Sequence, residues 1–301
     1  MGNDCTTGEW FDGRGSAVLS GLGIGPGQRV LDIGCGPGGY ALVLARLVAP
    51  GGHVTAVDVD ADHLSALARR AEEAGVSGLD AVRAEGAAFA VSLPENVFDT
   101  VLVFDVLQFV SDWRRLFRGL RRGLRAGGRV LVNPSLDTHP GRVNVREFLT
   151  CALVAGLGPE RAEKQRVLHY RRMEEETLVI LRPGPPVTEF RARVYAAACC
   201  VPRGTVVSYG TLAAAVDCAS PRAVGQALKR NPYAPGVPCH RIVAADGSPG
   251  GFEGGRGREQ LERKCALLRS EGVALDARGV VRDEHVRSRV PSTLDIRPTP
   301  S

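Results

Sequence analysis

An apolar strand that runs straight into a glycine-rich turn, residues 30–39 (VLDIGCGPGG), constrains the fold of this 301-residue chain more than any other segment. Residues 40–47 follow as a predicted helix. Glycines at such a turn let the backbone approach a bound nucleotide closely at a helix N-terminus. A second predicted strand, 54–57, ends at Asp58, where a carboxylate can hold both hydroxyls of a ribose. The turn alone leaves a dinucleotide-binding domain open as an alternative.

Strand and helix alternate through the residues that follow this turn. The segments are helices at 60–75 and 113–124 and strands at 81–84, 99–104 and 129–132. A further helix over 141–157 and an antiparallel strand pair, 161–173 and 175–181, close this part of the chain. The alternation predicts an α/β fold built on a Rossmann-like, doubly wound parallel sheet.

The residues and spacing of these blocks resemble those of the class I S-adenosylmethionine-dependent methyltransferases. The resemblance lies in the GCGPG turn at 34–38, Leu93-Pro94 before Phe98-Asp99, and Gly127-Gly128 before the fifth strand. Taken with these flanking blocks, the turn favours the methyltransferase interpretation over a dinucleotide-binding domain. A cofactor domain that has lost its activity and serves as a scaffold is the alternative.

The resemblance implies S-adenosylmethionine as the cofactor of this first part. It assigns the methionine end of the cofactor to Asp32, Gly34, Gly36 and Gly38, the ribose to Asp58, and the adenine amine to Glu85. Phe104 and Asp105 would border the substrate pocket. Methyl transfer from a sulfonium needs mainly alignment, so no catalytic residue is assigned, and the methyl acceptor is unknown.

Two short helices are predicted near residue 215. Ser208 is placed to cap a helix through Val216, and Ser220-Pro221 opens a second one after a turn at 217–219. Serine at the N-cap followed by proline at the first helical position is a strong start signal. Basic side chains fall on the outer faces of the second helix, which permits phosphate contacts but is equally typical of a solvated surface.

A candidate reactive thiol follows at Cys239, within the segment Pro238-Cys239-His240-Arg241. A free thiol has a pKa of about 8.5 and is mostly protonated at neutral pH. A nucleophilic cysteine therefore needs a base or a positive charge nearby, and His240 and Arg241 are adjacent to it. A buried structural cysteine is the alternative.

Together these segments resemble the catalytic domain of 6-O-alkylguanine-DNA alkyltransferases, also called methylated-DNA-protein-cysteine methyltransferases. The matching blocks are 204–213 (GTVVSYGTLA), 222–225 (RAVG), 231–232 (NP), 238–243 (PCHRIV), 254–255 (GG), 267–268 (LL) and 271–272 (EG). The order and spacing of so many blocks is a specific signal.

The resemblance implies that Cys239 takes an alkyl group permanently from the 6-oxygen of guanine in double-stranded DNA, without a cofactor. His240 would activate the thiol through a water molecule, and Glu271 would orient His240. The DNA contacts implied are Tyr209, Arg222, Asn231 and Arg241, with Arg222 filling the space of the extruded base. The sequence departs from the family at Phe252, where a tyrosine is frequent, and in extra residues at 256–263.

The division into domains follows from these two resemblances. We predict a methyltransferase-like domain at 1–183, a mainly helical, winged helix-turn-helix-like alkyltransferase domain at 184–283, and a disordered tail at 284–301. A net charge of +5 suits a DNA partner without requiring one, and eight cysteines without paired or zinc-type spacing indicate a reducing compartment. We expect a cytoplasmic monomer that is not bound to membranes and holds no metal.

Two accounts of function remain open on the sequence. In the first, the chain is a DNA repair protein with Cys239 as acceptor, fused to a methyltransferase with an unknown acceptor. In the second, it is a small-molecule or RNA methyltransferase whose second domain recognises lesions or targets the enzyme. A third treats both parts as binding modules.

Overall fold

The computed structural model describes residues 8–84, 93–139, 142–255 and 257–296. Its contacts divide the chain into two compact units. The first unit comprises Met1–Val143 and Glu163–Pro183, and the second comprises Asn144–Ala162 and Gly184–Ser301. The chain therefore enters the second unit, returns to the first, and enters the second again.

The first unit is built on a seven-stranded sheet. Its strands are β1 (Arg29–Ile33), β2 (His53–Asp58), β3 (Leu79–Arg83), β4 (Phe98–Phe104), β5 (Leu124–Asn133), β6 (Leu157–His169) and β7 (Arg172–Pro183). The order is β3-β2-β1-β4-β5-β7-β6, with β1 to β5 parallel and β7 antiparallel to β5. The central strands are apolar runs that are almost fully buried, as expected when both faces of a parallel sheet are covered.

Four helices accompany the described part of this sheet: α1 (Gly15–Gly21), α2 (Ala41–Val48), α3 (Ala61–Glu73) and α4 (Trp113–Gly123). Side chains at the N-caps set where two of them begin. Asp60 accepts hydrogen bonds from the backbone of Asp62 and His63, and Asp112 accepts one from Arg115. The predicted α/β class and doubly wound sheet are confirmed.

The second unit contains α5 (Val145–Val154), α6 (Glu189–Ala198), α7 (Tyr209–Ala215), α8 (Pro221–Lys229) and α9 (Arg258–Ser270). A small parallel sheet has the order β10-β8-β9, formed by β8 (Val206–Ser208), β9 (Ile242–Val243) and β10 (Val286–Arg287). The hydroxyl of Ser208 accepts from Thr211 at the start of α7, and that of Ser220 accepts from Ala223 at the start of α8. Both helices thus begin at the predicted caps.

Two predictions about organisation differ from the structure. Residues 284–296 are not a disordered tail, because they supply β10 and end at Ile296, which is only 2% exposed. The predicted helix before residue 157, observed as α5, packs on α6 and groups with the second unit instead of the first. The sequence shows that a helix has an apolar face, but it does not show on which of two cores that face packs.

Candidate active sites

The glycine-rich turn of the first unit lies where β1 and β2 end. The backbone amides of Gly34 and Cys35 both donate to the carbonyl of Val57, at 2.8 and 3.0 Å. Gly34 has a φ of +72°, and a Cβ there would lie 2.2 Å from the side chain of Val106. Gly36 also has a positive φ, but a Cβ on it would meet no atom of the described residues within 4 Å. The turn therefore presents backbone to open space, as a close ligand contact requires.

The carboxylate of Asp58 is fixed against this turn. Its Oδ2 accepts from the amide of Gly36 at 2.7 Å, and its Oδ1 accepts from the amide of Asp60 at 2.9 Å. Each oxygen keeps a further lone pair. Asp58 is thereby oriented and still able to accept hydrogen bonds from the hydroxyls of a ribose.

Asp32, the next-to-last residue of β1, is an unusual buried acid. It is 2% exposed, and its Oδ2 has no hydrogen-bond partner among the described residues. Burial, reinforced by the charge of Asp58, raises the pKa of its carboxyl to about 7. A cationic group bound above the turn would satisfy this carboxylate, which fits the ammonium and sulfonium of S-adenosylmethionine. Glu85, predicted at the adenine, lies outside the described residues.

A polar cluster lies where β4, β5 and β6 end. It contains Asp105, which was predicted to border the substrate pocket, and other side chains that the sequence analysis did not assign. Asp105 has a φ of +56°, and its Oδ1 accepts from the hydroxyl of Ser135 at 2.6 Å and the amide of Asn133 at 3.0 Å. Nδ1 of the buried His169 lies 3.1 Å from the same oxygen, and the ring of His139 lies 5.2 Å from that of His169. Burial raises the pKa of Asp105. Residues directly after parallel strands meet at one sheet edge, a signal that points to Asp105 and Asn133.

Cys239 opens a short 3₁₀ turn, Cys239–Arg241, that leads into β9. The residue is partly exposed, yet desolvation raises the pKa of its thiol, while a hydrogen bond from Asn231 and the charge of Lys264 oppose that rise. Asn231 also donates to the carbonyl of Val237 at 3.1 Å and accepts from the amide of Tyr233 at 3.0 Å. Asn231 therefore ties the cysteine turn to the end of α8.

His240 and Arg241 converge on one buried carboxylate. Nε2 of His240 lies 3.0 Å from Oε1 of Glu271, and the guanidinium of Arg241 makes contacts of 2.8 to 3.2 Å with both oxygens. Burial alone would raise the pKa of Glu271, but these hydrogen bonds and charges lower it to about 2. Burial lowers the pKa of His240, and its contact with Glu271 opposes that shift only in part.

Arg241 corrects one sequence prediction. It was expected to contact DNA, but it is 1% exposed and its second nitrogen donates to the carbonyls of Val201 and Asp295, both at 2.7 Å. A guanidinium enclosed in this way holds the protein together and cannot reach a phosphate. Of the other predicted DNA contacts, Arg222, the second residue of α8, is exposed, whereas Tyr209 at the start of α7 and Asn231 after α8 are half-buried.

Lys264 was not predicted and lies beside the thiol. It is fully buried on α9, and its Nζ donates to the carbonyls of Ile242 and Pro249 and lies 5.9 Å from the centre of the Tyr209 ring. Burial lowers the pKa of Lys264 to about 8, although the neighbouring Cys239 opposes the shift. A lone lysine in a polar helix carries no spacing signal that distinguishes it from a solvated one.

Part of the segment predicted to be longer than in the family, residues 256–263, is helical. Residues 258–263 form the first turns of α9, and Arg263 pairs with Glu253 at 2.8 Å. Phe252, which the sequence analysis named as a departure from the family, is 6% exposed and pairs through its backbone with Gly255.

The strand order with its antiparallel strand β7, together with the glycine-rich turn, defines the first unit as a Rossmann-like methyltransferase fold. Residues 31–132 match the family described as "Methyltransferase domain". Residues 189–273 match the family described as "6-O-methylguanine DNA methyltransferase, DNA binding domain". Both predicted resemblances are confirmed.

Curated relatives match one part of the chain or the other. A methylated-DNA–protein-cysteine methyltransferase of Thermococcus gammatolerans is 50% identical over 88 residues, which is 29% of this chain and 47% of that protein. A ubiquinone/menaquinone biosynthesis C-methyltransferase of Vibrio cholerae is 33% identical over 110 residues, 36% of this chain and 42% of the relative. The chain thus spans about half the length of the curated relatives it matches, or less.

Among solved structures, a SAM-dependent methyltransferase from Aquifex aeolicus aligns with 55% of this chain and 87% of its own, at 20% identity and a TM-score of 0.46. Within the described residues, the helices lack the combination of length and apolarity needed to cross a bilayer.

Proposed function

We propose that the second unit repairs alkylated DNA by moving an alkyl group from the 6-oxygen of guanine onto Cys239, once per molecule. The observation that carries this proposal is the buried network of His240, Glu271 and Arg241 directly beside Cys239. An activated cysteine requires a base and a group that orients the base. His240 would be the base for Cys239, and Glu271 would be the carboxylate that orients His240. The partner is double-stranded DNA, and the chain acts as a monomer.

The step balances without a cofactor. The thiol proton passes through a water molecule to His240, whose lowered pKa keeps the ring neutral and able to accept it. Because Glu271 holds the Nε2 proton, the lone pair lies on Nδ1. The thiolate then attacks the alkyl carbon, the sulfur–carbon bond forms as the carbon–oxygen bond breaks, and the guanine leaving group takes up one proton. The product is a thioether on Cys239.

The target base has to leave the duplex, because no side chain reaches the 6-oxygen inside the stack in the geometry of this attack. Arg222 is exposed at the start of α8 and can occupy the space that the base vacates. Tyr209 lies at the start of α7, and its hydroxyl contacts the carbonyl of Gly251 at 3.4 Å. This places it between the helix pair and the loop that precedes Phe252.

The test is mass spectrometry of the intact protein and of its proteolytic peptides after mixing with duplex DNA that carries 6-O-methylguanine. We expect the mass of one methyl group on the peptide containing Cys239, with transfer abolished in Cys239→Ser. Cys218→Ser is the matched control, since Cys218 is also partly exposed but lies outside the network. An unmodified Cys239 in folded wild-type protein would remove the proposal.

We further infer that the first unit binds S-adenosylmethionine and transfers its methyl group to an acceptor that remains to be found. The cofactor supplies an electrophilic methyl group on a sulfonium. Two observations support this proposal: the open face at Gly36, and the buried Oδ2 of Asp32, which has no hydrogen-bond partner in the part of the chain that the structure describes. Asp58 would hold the ribose, and the cluster around Asp105 would face the acceptor. If this were the main activity, the second unit would serve to direct it to damaged DNA.

Binding of S-adenosylmethionine, measured by calorimetry, tests this second proposal. Asp58→Ala removes the oriented carboxylate, and we expect affinity to fall about a hundredfold, since hydrogen bonds to a charged group contribute roughly 1.5–3 kcal/mol. Asp80→Asn is the control, because Asp80 is a carboxylate of the neighbouring strand that pairs with His53 at the surface. Equal affinities for wild type and Asp58→Ala would contradict the assignment.

A further inference from the structure

A cavity of about 810 Å³ lies in the second unit, and Cys239 is not among its lining residues. Its walls come from the N-terminal end of α5, from Pro202, and from the segment that follows β10. The lining residues are Asn144, Arg146, Pro202, Arg287, Ser288, Arg289, Val290, Pro291, Ser292 and Thr293. None of these positions belongs to the segment matched by the alkyltransferase family except Pro202.

The lining is strongly positive. Three arginines, Arg146, Arg287 and Arg289, line the cavity, and no aspartate or glutamate is among the lining residues. Serine and threonine hydroxyls from 288, 292 and 293 add hydrogen-bond donors. Fixed cationic charge with hydroxyl donors and no carboxylate is suited to an anion with several acceptor oxygens.

Hydrogen bonds to the backbone hold one of these three arginines, Arg146, in place. Its guanidinium donates to the carbonyls of Ala215, Val290 and Pro291, at 3.3, 2.9 and 2.8 Å. Its Nε is buried and has no hydrogen-bond partner among the described residues. Carbonyl oxygens satisfy donors but do not neutralise the charge, so the cavity keeps a net attraction for anions.

The cavity adjoins the helix pair that carries the proposed DNA contacts. Ala215, held by Arg146, is the last residue of α7, and the chain enters α8 six residues later. Arg287 lies in β10 opposite Val207, two residues before Tyr209. The arginines thus flank both ends of α7. In helix-turn-helix proteins the first helix crosses the DNA backbone, which is where phosphates lie.

From this arrangement we propose that the cavity binds a backbone phosphate of duplex DNA, on the flank of the strand that α8 engages. The inference rests on the proposed repair function and extends the DNA contact surface to a segment after residue 283. Its role is to hold the duplex in register and not to take part in alkyl transfer.

The test compares wild type with the double variant Arg287→Ala/Arg289→Ala in binding to unmodified duplexes of about one and about two helical turns. On the longer duplex we expect affinity to fall about three- to tenfold and the dependence of log affinity on log salt to flatten by roughly 1 to 2, since each phosphate contact adds about 0.9. The affinity for the shorter duplex, which is centred on α8, should fall less.

Two control variants and one control reaction show whether the loss of affinity comes from the charge of Arg287 and Arg289. Arg287→Lys/Arg289→Lys retains the charge and should bind within about twofold of wild type. Arg278→Ala, which removes an exposed arginine paired with Asp276, should change nothing. Transfer from free 6-O-methylguanine base to Cys239 should be equal in wild type and the alanine double variant.

Unchanged salt dependence in the folded alanine variant would overturn the inference while leaving the repair proposal intact. The inference would also fail if inorganic phosphate bound the cavity with micromolar affinity while the alanine double variant bound the duplex as tightly as wild type. The site would then bind a free anion instead of DNA. Failure of the wild type to react with free base or with lesion DNA would instead count against the repair proposal.

Discussion

Glu271 determines the protonation state of its neighbours through its position between His240 and Arg241. With a pKa of about 2 it stays ionised throughout the range in which proteins function. Its charge keeps the proton of His240 on Nε2, and its second oxygen compensates the enclosed guanidinium of Arg241. Removing one member of such a buried group leaves an uncompensated charge and typically costs about 3–5 kcal/mol. The same carboxylate therefore supports both the fold and the proposed chemistry.

Asp32 gives a prediction about pH. Burial raises its pKa to about 7, so the free energy of unfolding of the unliganded protein falls as pH rises from about 4 to about 7 and then stays constant. A bound cation reverses that shift of the pKa by pairing with the carboxylate. We expect affinity for S-adenosylmethionine to increase about tenfold between pH 6 and pH 8, with about one proton released near pH 6 and almost none at pH 8.

Calorimetry in buffers of different ionisation enthalpy measures both quantities. In Asp32→Asn the affinity should be independent of pH over this range, because the amide cannot titrate. A wild-type affinity that stays constant from pH 6 to pH 8 would show that Asp32 does not face the cationic end of the cofactor.

At the scale of elements, the three-residue strand β8 organises the second unit. It pairs with β9, which follows the cysteine turn, and with β10 on its other side, and it runs directly into α7 at Tyr209. One short strand thereby sets the positions of the thiol, of a proposed DNA contact and of the arginine-lined cavity. The caps of α7 and α8 could be predicted from sequence, whereas a two-residue strand such as β10 has no periodicity to detect.

Deleting the residues after Asp283 should destabilise the second unit. The deletion removes β10, the buried Ile296, the carbonyl of Asp295 that binds Arg241, and the carbonyls of Val290 and Pro291 that bind Arg146. Loss of one buried isoleucine costs about 1.5–3 kcal/mol, and each unsatisfied buried group about 1–3 kcal/mol. We expect the free energy of unfolding to fall by at least about 3 kcal/mol.

Urea unfolding followed by circular dichroism measures this difference. A chain that ends at Ile296 keeps every contact named here and is the matched control. If both truncated chains unfold at the same urea concentration as wild type, the segment contributes nothing to the fold.

For the whole molecule, local patterns predicted the elements better than they predicted the grouping of the elements. Strand and helix alternation identified the doubly wound sheet, and the structure places Asp58 and Asp32, both named from the sequence, next to the glycine-rich turn. Arg241 and Lys264 could not be placed from sequence, since a charged side chain is enclosed only when distant segments, here 201, 249 and 295, bring their carbonyls to it. Such contacts have no signature in local spacing.

The path of the chain through the two units has a consequence for engineering. Residues 144–162 belong to the second unit although they precede the last two strands of the first, and β6 itself runs from one unit into the other. A recombinant swap made with a single junction at residue 183 would give an incomplete second unit, which lacks α5 and leaves uncovered the face of α6 on which α5 packs. Exchange of either unit in a folded form therefore requires additional junctions on each side of residues 144–162.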